Sequence, residues 1–200
     1  MTSRTHRRSP LAMVLLSLVA EAPMHPYRMQ QLIRERQKDQ VVNVAQRNSI
    51  YQTIDRLQRA GLIEVLETAR DENRPERNVY GITEEGAETL QRWLRDMLST
   101  PAREFPEFPA ALAFLPMVSA KDALAHLEAR VAALDQALAR MDAGLVGADL
   151  PRLFLLEEEY TRAVTAAELR WVRALIDDLR SGAVTWDDAW LRTFAESFQG

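Results

Sequence analysis

Hydrophobic residues recur at three- and four-residue spacing along most of this chain, and the breaks in that rhythm mark out its elements. Ser9-Pro10 opens a first helix, with Ser as N-cap and Pro at the first helical position. Leu11, Val14, Leu15, Leu18 and Val19 then share one face. Pro23 and Pro26 bracket a turn around Met24-His25. Tyr27 to about Arg36 reads as a second helix with Met29, Leu32 and Ile33 inward, and Val41 to Ala45 as a connector. A third helix runs from about Arg47 to Ala60 with a narrow stripe of Ile50, Ile54 and Leu57, and Gly61 ends it from the C′ position.

The pattern then changes. Leu62 to Leu66 is a strand-like run, Arg70 to Arg77 contains the turn formers Asp71, Asn73 and Pro75, and Asn78 to Ile82 is the returning strand. Thr83-Glu84-Glu85-Gly86 opens another helix, with Thr83 as N-cap and acids in the first turn. Ala87, Leu90, Trp93, Leu94 and Met97 give that helix an apolar face. The order predicts a winged helix-turn-helix over residues 1–98, followed by a Pro/Phe-rich linker at 99–118, in which Ala110 to Leu115 could form a short helix.

Residues 119–200 read as a helical domain. Ser119-Ala120-Lys121-Asp122 is a capping signature. Leu124, Leu127, Val131, Leu134, Leu138 and Met141 step by three and four, the a/d seam of a coiled coil, and Gly144 and Gly147 break it. Leu150 to Arg180 reads as one long helix with Leu153, Leu156, Tyr160, Val164, Ala167, Trp171 and Leu175 on a common stripe. Thr185-Trp186-Asp187-Asp188 caps a last helix carrying Trp190, Phe194 and Phe198. The predicted fold is thus mainly α with a small two-stranded wing: a winged helix-turn-helix plus a C-terminal helical, coiled-coil domain. The seam needs a partner, found either in a second copy of the chain or within the same chain.

Charge changes the picture of the first domain. The 200 residues carry a net charge of −4, but residues 1–59 hold ten basic and four acidic side chains. Residues 60–80 stand at −2 and residues 81–200 at −8. Such a split suits a half that meets a polyanion and a half that does not. Projected at about 100° per residue, the third helix turns Ile54 and Leu57 toward Ile50, while Asn48, Gln52, Asp55, Arg56 and Arg59 fall on the far side, flanked by Arg47 and Tyr51. Asn and Gln can pair with adenine and Arg with guanine in a major groove, whereas Ser49 and Tyr51 suit phosphates. Asp55 is the misfit, because a carboxylate repels phosphate; Arg59, four positions on, is a candidate partner. In the wing, Arg70, Asn73, Arg74 and Arg77 have the chemistry to contact phosphates or a minor groove. A solvated helix face and a polar loop are the competing readings of the same residues.

Catalytic chemistry has little footing. Cysteine is absent, His6, His25 and His126 are scattered, and Glu157-Glu158-Glu159 reads as a solvated helix face. No cofactor, metal or enzymatic activity is expected. The longest apolar run, Leu11 to Ala20, is too short to span a bilayer, and no cleavable secretory pattern follows the basic N-terminus, so a cytoplasmic, nucleoid-associated protein is expected.

Asn48 through Ile63, with its Tyr51, Arg56-Leu57 and Gly61-Leu62-Ile63, resembles the recognition helix of PadR-type transcriptional regulators. His25-Pro26-Tyr27-Arg28-Met29 resembles the segment leading into that family's second helix, with Pro26 where Gly is common. Arg77 to Thr83 with Gly86 resembles its second wing strand, and Ala167-Glu168-Leu169-Arg170-Trp171 a stretch of its C-terminal helices. Gln52 departs from the family's usual Pro. The resemblance implies a dimeric regulator, usually a repressor, gripping a pseudo-palindromic operator in double-stranded DNA, and it allows a small aromatic molecule as effector. It implies recognition-helix contacts from Arg47, Asn48, Ser49, Tyr51, Gln52, Arg56 and Arg59, and backbone contacts from His25, Tyr27 and Arg28. The candidate dimer interface comprises Leu124, Leu127, Val131, Leu134, Leu138 and Trp171, and the candidate effector pocket Trp93 and Trp171. The alternative reading is a helical protein-interaction adaptor that keeps the winged fold without binding DNA; the +6 balance of residues 1–59 is the feature such an adaptor does not need.

Overall fold

The computed structural model describes residues 8–38, 41–42, 47–69 and 77–197. The chain divides into two compact units, Met1–Arg103 and Glu104–Gly200.

In the first unit, α1 (Pro10–Glu21), α2 (Pro26–Glu35) and α3 (Arg47–Arg59) precede a hairpin of β1 (Ile63–Ala69) and β2 (Arg77–Ile82), and α4 (Glu84–Ser99) follows. Ser9 caps α1, its Oγ accepting from the Ala12 N–H at 3.2 Å. The end of α3 is a Schellman turn: Leu62 N–H donates to the Leu57 carbonyl, Gly61 N–H to that of Gln58, and Gly61 takes a φ of +73°. The core gathers Leu15, Leu16, Met29, Ile33, Ile50, Ile54, Leu62, Leu90 and Trp93 from all four helices and the start of the hairpin.

Two features tie the hairpin to the helices. Met24 and Tyr80 exchange backbone hydrogen bonds at 3.0 and 3.1 Å, an antiparallel bridge where the sequence suggested only a turn. Pro26 disfavours helix at His25 before it, so the chain stays extended up to α2 and Met24 can pair with a strand. Thr83 joins the turn after α3 to α4: its Oγ1 donates to the Gly61 carbonyl at 2.7 Å and accepts from the Gly86 N–H at 3.0 Å. Within the hairpin, Val65 pairs with Tyr80 and Glu67 with Val79, so Leu66 is an extra, bulged residue. A Cβ added at Gly81 would lie 2.5 Å from a Leu66 methyl carbon.

In the second unit the predicted linker contains α5 (Glu107–Ala113) and a 3-10 turn at Leu115–Met117. Ser119 caps α6 (Ala120–Gly147), which runs through Gly144 instead of breaking there. One glycine costs a helix about 1 kcal/mol against alanine, and this one allows a close approach: a Cβ at Gly144 would stand 2.8 Å from Glu158 Oε1. The expected helix from Leu150 starts later. Arg152–Phe154 form a 3-10 turn behind Pro151, and α7 spans Leu156–Ser181, ended by Gly182 at φ +79°. The last helix, α8 (Asp188–Ser197), is capped by Asp187, within the expected capping segment, its Oδ1 accepting from the Trp190 N–H at 2.7 Å.

α6 and α7 form an antiparallel hairpin. Arg180 pairs with Glu128 at 2.7 Å, Arg173 with Asp135 at 2.8 Å, Arg130 with Glu168 at 2.5 Å, and Arg162 with Asp142. Seam residues Leu124, Leu127, Val131 and Leu134 pack with Val172, Leu175, Ile176 and Leu179, so for them the partner lies within the chain. The face of α7 turned inward is Leu169, Val172 and Ile176. Of the common stripe, Leu156, Tyr160, Val164 and Trp171 are exposed.

Candidate nucleic-acid interface

The face of α3 opposite Ile50, Ile54 and Leu57 carries the predicted reading residues. Tyr51 is 51% exposed, and Gln52, Asp55 and Arg59 are exposed beside it. Thr53, buried, donates its hydroxyl to the Ser49 carbonyl at 2.7 Å, which holds it inside the helix and off the outer face. Arg59 Nη2 lies 2.5 Å from Asp55 Oδ2, the pairing its spacing suggested. Arg56 sits at the edge of the face, half-buried, and its Nη2 donates to Ser9 Oγ at 3.2 Å. That hydroxyl therefore serves both the cap of α1 and Arg56 of α3. Arg47 and Asn48 open α3, but their side chains lie outside the described residues.

On α2, Tyr27 is 65% exposed. His25 is the N-cap, its Nδ1 accepting from the Tyr27 N–H at 3.1 Å, so this imidazole edge organises the helix start. Arg28 Nη1 reaches Glu35 at 3.1 Å. The scaffold behind is fixed by Arg36, which donates to Glu21 at 2.7 Å and joins α2 to α1. That hydrogen bond holds the Glu21 carboxyl below the ordinary carboxylate range and raises the Arg36 guanidinium. Arg70, Asn73 and Arg74 lie outside the described residues; Arg77 begins β2, opposite Ala69, and its side chain lies outside them too.

Of the two pocket candidates, Trp93 is 5% exposed and belongs to the first unit's core. Trp171, in the second unit, is half-exposed and meets Phe108 of α5 edge to face at 6.1 Å, with Arg130 stacked 3.6 Å over the other ring. Trp186 donates its indole N–H to the Val118 carbonyl at 2.9 Å. The sequence reading missed the Phe108 anchor, the Met24–Tyr80 bridge and the Thr83 link. Only the bridge left a signal, in the proline that follows His25.

Among the described residues no cluster of three or more His, Asp or Glu could hold a metal, and no helix is long and apolar enough to cross a membrane. An exposed helix face of amide, hydroxyl and guanidinium groups beside a two-stranded wing is equipped to enter a groove of duplex DNA.

Residues 15–92 match the transcriptional regulator PadR-like family. No curated protein matches the chain in sequence. Among solved structures, the fold is similar to PadR from Bacillus subtilis in complex with operator DNA, at 17% identity and a TM-score of 0.66, over 84% of this chain and 98% of that one. It is similar to the same protein in complex with p-coumaric acid, at 16% identity and a TM-score of 0.67, over 86% and 99%. The virulence activator AphA of Vibrio cholerae matches at 20% identity and a TM-score of 0.63, over 86% and 98%.

Proposed function

With a PadR-like domain at residues 15–92 as the premise, we propose that this protein is a sequence-specific DNA-binding transcriptional regulator, a dimeric repressor relieved by a small aromatic effector. The observation that carries the reading is the outer face of α3, where Tyr51, Gln52 and Arg59 stand exposed next to the wing. Tyr51 and Gln52 meet base edges and phosphates in the major groove, joined by Arg47, Asn48, Ser49 and Arg56. Tyr27 and Arg28 contact the backbone, and Arg70, Asn73, Arg74 and Arg77 are the proposed contacts of the wing. Two such heads related by two-fold symmetry call for half-sites about one helical turn apart.

The dimer surface moves from the α6 seam to α7. With Leu127 and Val131 satisfied by Val172 and Ile176, the bare stripe of Leu156, Tyr160, Val164 and Trp171 is the apolar surface in need of cover. The repressor sign rests on the resemblance to PadR-type regulators, and the aromatic effector on the likeness to the p-coumaric-acid-bound structure. A regulator of this kind works on the chromosome, in the cytoplasm.

Sequencing the genomic fragments that the purified protein retains tests the reading. A recurrent pseudo-palindrome is expected; no enrichment over input, with a co-purifying protein in its place, favours an adaptor. On the selected site, Arg56→Ala should weaken binding and relax base preference, whereas Arg74→Ala should weaken all sequences evenly and flatten the salt slope by about 0.9. A thermal-shift series with aromatic acids then tests the effector.

A further inference from the structure

The arginines assigned to DNA on α2 and α3 are not held alike. Arg56 donates to a neutral hydroxyl, Ser9 Oγ. Arg59 and Arg28 face carboxylates: Asp55 at 2.5 Å, and Glu35 at 3.1 and 3.3 Å. Glu35 is further fixed by Gln31 Nε2 at 2.7 Å. A neutral partner leaves the charge of Arg56 available to a distant polyanion. A carboxylate cancels it locally and takes one terminal nitrogen of the guanidinium out of reach of a phosphate.

Both members of the Asp55–Arg59 pair are largely exposed. Such a pair shifts an equilibrium by about fivefold at most, so stability is a poor reason to place a carboxylate on a DNA-facing helix. The same weakness makes it exchangeable, and a phosphate fixed in place by neighbouring base contacts can take Arg59 from Asp55. A phosphate met in passing on random sequence has no such support. Non-specific affinity grows with the number of phosphates neutralised, so hiding one cation lowers it selectively.

We propose that Asp55 is a specificity-determining residue that acts through Arg59, masking its guanidinium from DNA phosphates and lowering binding to non-operator sequence. The proposal rests on the DNA-binding reading above. It makes Asp55 a positioning residue, not a contact residue.

The test measures binding of the full chain to a short random-sequence duplex over a salt series. Asp55→Asn should bind about threefold more tightly than wild type, and the slope of log affinity against log salt should steepen by about 0.9. In an Arg59→Ala background the same substitution should change neither quantity. Equal tightening with and without Arg59 would show simple removal of a repulsive charge and overturn the proposal, as would no tightening when Arg59 is present. If wild type retains neither random duplex nor selected genomic fragments at low salt, the DNA-binding reading itself falls, and the proposal with it.

Discussion

The first unit closes a core on itself: α1 to α4 and the hairpin bury Leu15, Leu16, Met29, Ile33, Ile50 and Leu62 almost completely. The α6–α7 hairpin of the second unit buries Leu127, Val172 and Ile176, and leans on ion pairs along its edges. It leaves Leu153, Phe154, Tyr160 and Trp171 half or more exposed. Both stretches are amphipathic in sequence and similarly helical. The difference lies in how many apolar faces each chain segment can turn toward others. Four helices and a hairpin enclose a volume, whereas two antiparallel helices share only one seam.

The contrast can be broken first where it is strongest. Leu16→Ala empties a fully buried site and should cost the first unit about 3 kcal/mol in denaturant unfolding. Gly86→Ala should rival it, because a Cβ there would lie 2.0 Å from the Leu62 carbonyl oxygen, against backbone that cannot rotate away. The next effect is on assembly. Trp171→Glu should leave the helical circular-dichroism signal intact at high concentration yet weaken the dimer about thirtyfold in sedimentation, as expected for an interface anchor worth about 2 kcal/mol. Unchanged association would locate the interface elsewhere.

Arg173→Ala removes one ion pair from α6–α7 and should cost less than about 1 kcal/mol, with the loss shrinking in high salt. The smallest concerns Glu21. Its carboxyl titrates lower in the folded state than in the unfolded chain, chiefly because Arg36 hydrogen-bonds it. Its contribution is therefore present above the unfolded value and is lost as pH falls through the folded one. Stability of Glu21→Gln should decline less steeply on acidification than that of wild type, by under about 1 kcal/mol given the pair's exposure.

What could be read in advance was local. Ser9, Thr83 and Ser119 are caps because a short side-chain oxygen ahead of a helix has free N–H groups within reach. Gly61 ends α3 because only glycine takes positive φ without cost there. The partner of an apolar stripe is not local. The heptad rhythm of Leu124 to Leu138 shows that a face must be covered, and spacing cannot say by which helix. Gly144 misled for a related reason: its conformational cost is visible in the sequence, while the approach of Glu158 that it permits is not. On the reading face, spacing found the Asp55–Arg59 pair but not the link from Arg56 to Ser9, 47 positions away.

The bulge at Leu66 has a consequence for how such a head could change its target. The extra residue sets the local twist of the hairpin, and its side chain lies over the bare backbone of Gly81. Neither position lies on the reading face of α3. On the DNA-binding reading proposed above, a methyl group at 81, or a smaller residue at 66, would tilt the wing while every proposed contact residue kept its identity. On that reading, operator preference would drift through the wing that carries the proposed contacts, with the contact residues themselves unaltered.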